Sequence, residues 1–308
     1  MDYTIRRINE SDLPGLMKLY AASFNQQQTL QEAIDKFSTR CFGAEYIGYL
    51  AVAADGELAA FYGVFPVEMR VGGRVIIGAQ SGDTMTHPDH RKKGLFVRLA
   101  ERTYQLARAQ QVKVIYGFPN EHSYPGFQRK LGWSFLEPMQ TAELRADRGM
   151  FKARLGTWIG GRKRSNNRVA ERLQPLGIDY SLFVFGTQGD GVLRDAKYLD
   201  YKHKNSGSVV VQVEDLAVWL VPGNRLDIGG FIEHRPMSTK DLENTFQQLL
   251  TVAGATSARF TYSAKSAVLE KIQPFCQIRT NARVGFLALD PSINIDTLFF
   301  CRGDFDYF

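Results

Sequence analysis

The sequence predicts an α+β fold with mixed α/β sheets, arranged as two successive domains. Its 308 residues exceed what one hydrophobic core of ordinary size usually serves. Patterns in the first half follow the order β-α-α-β-β-β-α-β-α-β, and strands, helix and strand recur after about residue 176. The composition, 44% hydrophobic and 23% charged, is typical of a globular protein, and no apolar run reaches the roughly 18 residues of a membrane span.

Turn and cap residues delimit the elements of the first half. Residues 3–8 alternate as a strand does, and Ser11 or Asp12 can cap a helix that runs to about Phe24. The turns ADGE and VGGR predict hairpins, because glycine adopts the positive φ that such turns need. Further helices are predicted over 29–41, 94–110 and 123–131, and further strands over 46–54, 58–70, 74–87, 112–118 and from 133 onward.

The second half carries the same kinds of signal, although its sequence identity to the first half is negligible. Ser238 can cap a helix that extends to about Ala253, and a shorter helix is predicted over 264–272. Strands are predicted over 178–186, 208–213, 216–221, 225–232, 257–263, 276–289 and 296–301.

A basic segment separates the two halves. Residues 145–172 hold nine lysines and arginines against Asp147 and Glu171, a net +7, so the rest of this +6 chain is close to neutral. The predicted organisation is therefore a domain over 1–145, a basic connection over 146–175 and a domain over 176–308. The basic residues are Arg145, Arg148, Lys152, Arg154, Arg162, Lys163, Arg164, Arg168 and Arg172.

The basic segment also carries an apolar face at helical spacing, formed by Phe151, Leu155, Trp158 and Ile159. One interpretation is a connecting helix that packs this face on a domain. The other is contact with a membrane surface or an anionic partner. Nucleic acid is disfavoured as a partner, because no recognised binding motif accompanies the charge.

Cysteine content and the start of the chain predict a cytoplasmic protein. The three cysteines are scattered and odd in number, which argues against a disulfide framework. The first residues, MDYTIRRINESD, are charged and contain no apolar core of a secretory signal.

The segment THPDHRKKGLF (86–96) has a layout suited to holding phosphate. A strand ends at His87-Pro88, a basic loop follows, and Gly94 begins a helix. Unpaired amides and the positive end of the helix dipole meet there. The alternative is a solvated basic loop with a glycine turn. Neither the P-loop nor the dinucleotide-binding glycine pattern is present.

This segment resembles the acetyl-CoA loop of the GCN5-related N-acetyltransferase (GNAT) family, which reads [QR]-x-x-G-x-[GA]. The corresponding residues are Arg91, Lys92, Lys93, Gly94, Leu95 and Phe96, of which Phe96 departs from the small residue of the family. The resemblance extends over about 1–145 and includes GFPNEHSYPGFQRKLGW, a strand ending in Asn and a short helix closing with a Gly-aromatic pair. The second half resembles a degenerate GNAT-like domain, because FIEHRPMS (231–238) stands at the loop position without glycine.

The resemblance implies acetyl-CoA (coenzyme A) as co-substrate and assigns residues to it. Strand-edge backbone groups of Met85, Thr86 and His87 would meet the pantetheine arm. The amides of Arg91, Lys92, Lys93, Gly94, Leu95 and Phe96 would bind the pyrophosphate. Asn120 would orient the pantetheine or a water molecule.

Acetyl transfer to an amine needs a base, and it benefits from an acid near the leaving thiolate. Asp83 is the candidate base; the alternative is a strand-end carboxylate bonded to backbone. The tyrosine that usually serves as acid in the family is replaced by Gln128, which cannot donate a proton as an acid does. Tyr124, one helical turn earlier, is the candidate acid, with a core or interface tyrosine as the alternative. His122 is a candidate substrate contact.

No metal site is predicted, since His87 and His90 lack an accompanying ligand set. The predicted function is acetyl-CoA-dependent N-acetyl transfer to a primary amine, which could be an amino sugar, a small amine or a protein amine. Two alternatives stay open: an acyl-CoA-binding or regulatory module without catalysis, and an anionic-surface binder acting through 145–172. A homodimer is compatible with the sequence.

Overall fold

The computed structural model describes residues 2–147, 162–181, 183–186, 189–306 and 308. Its contacts divide the chain into two compact units. The N-terminal unit comprises Met1–Leu136, Asp190–Leu193 and Arg283–Leu298. The C-terminal unit comprises Glu137–Gly189, Arg194–Ala282 and Phe299–Phe308.

The N-terminal unit has the element order that the sequence predicted. Its elements are β1 (Thr4–Arg7), α1 (Leu13–Phe24), α2 (Leu30–Phe37), β2 (Ile47–Val52), β3 (Leu58–Val71), β4 (Arg74–Thr86), α3 (Leu95–Ala109), β5 (Val114–Gly117), α4 (Tyr124–Leu131) and β6 (Ser134–Phe135). Two strands from later in the chain, β8 (Asp190–Val192) and β14 (Gly285–Ala288), join its sheet. The strand order is β1-β2-β3-β4-β5-β14-β6, and β8 pairs with β3.

Two apolar clusters hold this sheet to its helices, because burying apolar side chains is the main stabilising contribution to folding. Leu99 and Tyr104 of α3 belong to one cluster, together with Ile115 of β5. Leu16 of α1 and Phe37 of α2 belong to the other, which includes sheet residues Phe61, Phe65 and Met85.

The C-terminal unit is built around a six-stranded sheet of order β13-β7-β12-β11-β10-β9. Its elements are β7 (Met139–Arg145), α5 (Arg162–Leu173), α6 (Ala196–Ser206), β9 (Val209–Val213), β10 (Leu216–Val221), β11 (Arg225–Glu233), α7 (Thr239–Ala253), β12 (Ser257–Tyr262), α8 (Ala267–Ile272) and β13 (Gln277–Ala282). A two-residue strand, β15 (Leu298–Phe299), pairs with β8 and belongs to the nine-stranded sheet of the N-terminal unit.

The two units repeat one supersecondary motif. In each, an antiparallel strand pair is followed by a helix and by a strand parallel to the second member of the pair. In the N-terminal unit, β4 residues 78–80 pair with β5 residues 114–116. In the C-terminal unit, β11 residues 225–228 pair with β12 residues 257–260. Both sheets are mixed, so the predicted fold class is confirmed, as is the related order of the second half.

Three local expectations were wrong or incomplete. The expected strand over 178–186 is absent among the described residues, where Phe185 makes only an isolated bridge to Arg194. Helix α6 was not predicted, because it buries only a few side chains and one of them, Lys202, is charged. The expected continuous strand over 276–289 is two strands, since β13 joins the C-terminal sheet and β14 the N-terminal sheet.

The apolar face expected at Phe151, Leu155, Trp158 and Ile159 lies outside the described residues. Within the described part of the basic segment, Val169 is buried in the core of the C-terminal unit. The Arg172 guanidinium donates a hydrogen bond to the Ala253 carbonyl, at 3.3 Å. In the described ranges, no helix has the length and apolar character needed to cross a membrane.

Candidate functional site

Strands β4 and β5 separate at their carboxyl ends. Their parallel pairing runs from Gly78–Val114 to Gln80–Tyr116, whereas β4 continues to residue 86. Just beyond the last pair, a Cβ on Gly117 would lie 3.2 Å from the Ser81 carbonyl oxygen, so a larger residue at 117 would need a small shift of the backbone at the point where the strands begin to diverge. Among the described residues, no strand pairs with this side of β4 beyond Gln80, so its edge over 81–86 can form hydrogen bonds to a ligand.

A β-bulge bends β4 within this stretch. Phe61 of β3 pairs with Met85 and Gly63 pairs with Gly82, so one β3 residue faces two β4 residues. Asp83 sits at the bulge with a φ of 47°, in the left-handed region. Bulges redirect side chains and end regular pairing, and both effects occur here beside the separation of the strands.

The N-terminus of α3 is open. Gly94 is its N-cap residue with a φ of 73°, and no side chain caps the helix. Lys92 also has a positive φ, of 62°. Apart from Gly94 and its chain neighbours, no atom of the described residues lies within 4 Å of a Cβ built on Gly94, so glycine is required there for its conformation rather than for space. The first amides of a helix have no partner within the helix, and its dipole is positive at that end.

The loop before α3 is cationic. Arg91, Lys92 and Lys93 are exposed, and Lys93 Nζ donates a hydrogen bond to the Asp89 carbonyl at 3.1 Å. His90 Nδ1 lies 2.8 Å from the hydroxyl of Tyr3. The structure thus places positive side chains and open amides at one end of α3.

The last two residues of the loop point into the protein. Leu95 is buried in the cluster beneath α3. The Phe96 ring lies edge-on to Phe127, with ring centroids 5.2 Å apart, and a Cβ on Gly126 would be only 3.0 Å from it. The large side chain at the position where the family has a small residue is therefore used to pack α3 against α4, and Gly126 makes room for it.

The residues expected to present backbone groups lie at the end of β4. Met85 is buried on the side of α1 and α2, and Thr86 pairs with Ala60. The His87 amide donates to the Ala59 carbonyl at 2.9 Å. The His87 ring nitrogen Nδ1 accepts from the Asp89 amide at 3.3 Å.

Asn120 shapes the turn that leads into α4. Its side-chain oxygen accepts from the amides of His122 and Ser123, both at 3.0 Å, and its carbonyl accepts from the Tyr124 amide at 2.9 Å. His122 itself is exposed. Asn120 therefore fixes the direction in which α4 starts, whatever else it contacts.

Tyr124 opens α4 and is half-buried. Its ring lies edge-on to Phe135 at 4.6 Å, and the Arg283 guanidinium carbon is 4.8 Å from the ring centroid. Gln128, one turn later, is exposed.

Lys36 is an ion-pair partner of Asp83, which was not predicted from the sequence. Lys36 Nζ lies 2.7 Å from Asp83 Oδ2, and the two side chains are 14% and 10% exposed. The same ammonium is 5.0 Å from the centroid of the Phe65 ring. The two residues are 47 positions apart, and only the packing of α2 on β4 brings them together.

A chain of hydrogen bonds was also not predicted. The Ser81 hydroxyl donates to Tyr62 Oη at 3.0 Å, Tyr62 Oη lies 2.9 Å from Tyr104 Oη, and the Trp133 indole N–H donates to Tyr104 at 2.9 Å. Burial raises the pKa of both phenols, so they remain neutral and rigidify the sheet beside the strand separation. In the described part of the chain, no group of three histidine, cysteine or carboxylate side chains could hold a metal ion.

Residues 4–136 match the family model described as an acetyltransferase (GNAT) domain. This part of the chain has the sequence pattern of a GNAT domain. The match covers strands β1 to β6, which include the separated strands β4 and β5, and the open helix α3. GNAT domains generally use acetyl-CoA. A comparison with curated protein sequences found no match.

Several solved structures share the fold across nearly the whole chain. A GCN5-related N-acetyltransferase from Kribbella flavida is 16% identical, with a TM-score of 0.59 over 94% of this chain and 71% of that one. A probable N-acyltransferase from Enterococcus faecalis is 13% identical, with a TM-score of 0.63 over 94% and 73%. The Saccharomyces cerevisiae N-myristoyltransferase with bound myristoyl-CoA is 12% identical, with a TM-score of 0.55 over 96% and 84%. Similarity this low in sequence shows the fold alone.

The second GNAT-like unit lacks the open helix. Helix α7 follows β11 as α3 follows β4, but the Ser238 side chain caps it by accepting from the Asp241 amide at 3.2 Å. The preceding stretch, 231–238, contains no glycine. A helix end that its own chain has capped offers fewer amides to a ligand.

Proposed function

We propose that the chain is an N-acetyltransferase that transfers the acetyl group of acetyl-CoA to a primary amine through its N-terminal GNAT domain. The observation that carries this proposal is the uncapped N-terminus of α3, which begins at Gly94 directly beyond the free edge of β4. Backbone amides and cationic side chains at one helix end suit a pyrophosphate.

Coenzyme A is assigned to backbone groups along this edge. The backbone groups of Met85, Thr86 and His87 that do not bond β3 are assigned to the pantetheine arm, and Asn120 orients the arm or a water molecule. The amides that receive the pyrophosphate belong to Arg91, Lys92, Lys93, Gly94, Leu95 and Phe96. The inward packing of Phe96 supports this assignment, because its ring leaves the outer side of the loop uncovered.

Catalysis is assigned to Asp83 and Tyr124. The acceptor amine must lose a proton before its nitrogen can attack the thioester carbonyl carbon, and the Asp83 carboxylate takes that proton. As the N–C bond forms, the C–S bond breaks and its electron pair leaves on sulfur. The Tyr124 hydroxyl is the proton donor assigned to that sulfur, and the second proton that the nitrogen loses restores the Tyr124 hydroxyl. Asp83 releases its proton to solvent, and His122 contacts the acceptor. The acceptor class is an amino sugar, a small amine or a protein amine.

Calorimetry with coenzyme A tests the binding half of the proposal. In Gly94→Val, the left-handed conformation costs an L residue roughly 1–2 kcal/mol. The loop is expected to relax from its present path, and affinity is expected to fall about tenfold or more. Gly207→Val is the matched control: Gly207 has a φ of 67°, has no protein atom within 4 Å of a built Cβ, and lies at the end of α6. If both variants bind coenzyme A with wild-type affinity, the loop assignment is wrong.

A thiol-release assay over a panel of primary amines tests the catalytic half. Free coenzyme A should accumulate with at least one amine. Binding without any thiol release would favour the acyl-CoA-binding module instead, a reading supported by the exposed Gln128 at the position of the family's usual acid.

A further inference from the structure

Lys36 places a primary ammonium at the candidate base. Its Nζ is 2.7 Å from Asp83 Oδ2, within the distance of a charge-assisted hydrogen bond. Asp83 belongs to the bulged part of β4, whose free edge is assigned above to the thioester arm. A lysine side chain therefore occupies the position that an acceptor amine would need.

The surroundings of this ammonium are those of a binding site for an alkyl ammonium ion. The Phe65 ring lies 5.0 Å from Nζ, a distance at which a cation is attracted by the ring face. Phe37 and Phe61 belong to the same buried cluster. Lys36 and Asp83 are 14% and 10% exposed, so solvent is largely excluded from both charges.

Stability alone is a weak explanation for this pair. Charges that are largely removed from water pay a desolvation cost, and replacing such a pair with apolar residues is often neutral or stabilising. Asp83 in addition adopts a left-handed φ of 47°. Strained backbone of this kind is concentrated at functional sites.

We propose that Lys36 is an internal acceptor and that this protein acetylates its own Lys36 side chain from acetyl-CoA. The inference rests on the proposed function, since it uses the same cofactor site and the same base. It adds a modification site on α2 and states that the acceptor position admits an unbranched alkyl amine.

The transfer balances in atoms and charge. The ammonium of Lys36 gives one proton to the Asp83 carboxylate, and the neutral nitrogen attacks the thioester carbonyl carbon. The N–C bond forms, the C–S bond breaks, and sulfur leaves with the electron pair. The second nitrogen proton reaches the thiolate, giving coenzyme A, and Asp83 releases its proton to solvent. The product amide carries no charge, so the ion pair with Asp83 is lost.

Lys113 provides a matched comparison within the same unit. It also forms an ion pair with an aspartate, Asp290, at 3.2 Å, but its side chain is 38% exposed and that of Asp290 is 29% exposed. Reagents that acetylate lysines without the site should therefore modify Lys113 faster than Lys36. Self-acetylation should reverse that order.

The experiment incubates the full chain with acetyl-CoA and follows acetylation of each lysine by peptide mass spectrometry. Lys36 should be acetylated first, at a rate independent of protein concentration, because the reaction is intramolecular. With an N-hydroxysuccinimide acetyl ester in place of acetyl-CoA, Lys113 should react before Lys36. Lys36→Arg should abolish the rapid acetylation by acetyl-CoA, and Lys113→Arg should leave the rate of Lys36 acetylation unchanged. Asp83→Asn should slow Lys36 acetylation by about a hundredfold, as expected for loss of a general base, without weakening coenzyme A binding.

Failure of the internal-acceptor proposal can be distinguished from failure of the transferase proposal. If coenzyme A binds and Lys36 is acetylated no faster than Lys113, the internal-acceptor proposal is wrong and the transferase proposal stands. If calorimetry shows that coenzyme A does not bind, both proposals fall together. If the rate of Lys36 acetylation rises with protein concentration, the internal-acceptor proposal is also wrong, because the transfer then occurs between molecules.

Discussion

At the scale of single residues, the candidate site depends on backbone conformations that most side chains avoid. Asp83, Lys92 and Gly94 have φ values of 47°, 62° and 73°. Aspartate tolerates this region better than most residues, and glycine adopts it without cost, whereas lysine does so rarely. The bulge and the loop are thus held in shape by their surroundings, which is a common property of ligand-binding backbone.

Charged residues also fix the entry to α1. The two terminal guanidinium nitrogens of Arg6, Nη1 and Nη2, donate to the Asp12 carboxylate, and the Asn9 amide donates to it at 2.9 Å. The hydrogen bond from Arg6 is the main cause that lowers the pKa of Asp12 from 3.8. Because the carboxylate is the stabilised form, this contribution to stability is present above pH 3.8 and is lost as the pH falls through the lowered pKa.

We therefore predict that Asp12→Asn lowers the stability of the N-terminal unit at neutral pH and hardly at all in acid. The Arg6 side chain is 41% exposed, so solvent screens the pair. The expected loss is then about 1 kcal/mol. Calorimetric Tm values of wild type and variant, measured from neutral pH down to about pH 3, should converge at the acid end. Asp55→Asn, an exposed turn carboxylate, is the control. A Tm difference that persists unchanged in acid would contradict the assignment.

At the scale of elements, the short helix α2 controls where Lys36 lies. It spans only Leu30–Phe37, and a helix of this length is not stable by itself. Thr29 and Glu32 form a capping box in which the Glu32 amide donates to Thr29 Oγ1 at 3.2 Å and the Thr29 amide donates to Glu32 Oε2 at 2.7 Å. Packing of Ala33 and Phe37 in the apolar cluster supplies the remaining stabilisation of α2.

Removing this cap should loosen α2 selectively. Thr29→Ala should cost about 1 kcal/mol of local stability. Faster hydrogen exchange is expected in the amides of residues 30–37 and not in β4. Thr4→Ala, an exposed threonine of β1, should leave exchange in α2 unchanged. If α2 exchanges equally in the wild type and Thr29→Ala, tertiary packing rather than capping holds the helix.

At the scale of the whole molecule, the N-terminal unit is discontinuous in sequence. Strand β14 pairs with β5 and β6, and the Leu136 amide donates to the Val284 carbonyl at 3.1 Å. Residues 136 and 284 are thus placed like the two ends of a hairpin turn. Most of the C-terminal unit is inserted, in sequence, between two antiparallel strands of the N-terminal sheet.

This connectivity predicts how shortened chains behave. Residues 1–136 alone expose the edge of the buried strand β5 and should aggregate or unfold without cooperativity. A chain in which Leu136 is joined to Val284 by an Asn-Gly turn and ends at residue 298 should recover cooperative thermal unfolding, because β14 regains its place. Cooperative unfolding of 1–136 at the same Tm as the longer chain would refute the role given to β14.

Much of the fold was predictable because it rests on local patterns. The spacing of apolar residues and the turn glycines predicted every helix of the N-terminal unit and the first five of its strands in order. The pattern around Gly94 predicted a helix start, which the structure places at the free edge of β4. Lys36, Ser81 and Tyr62 were not predicted as neighbours of this edge, since their contacts join residues far apart in sequence.

The sequence by itself determined which segments are strands and helices in the N-terminal unit and which loop carries an uncapped, cationic helix start. Both properties follow from short-range sterics and from the period of burial. Only the tertiary structure decided which sheet each late strand joins, how the bulge turns Asp83 toward Lys36, and that Phe96 packs inward. Strand-pairing partners and side-chain neighbours depend on which surfaces pack together when the chain folds. A local pattern of apolar residues is compatible with several such packing arrangements.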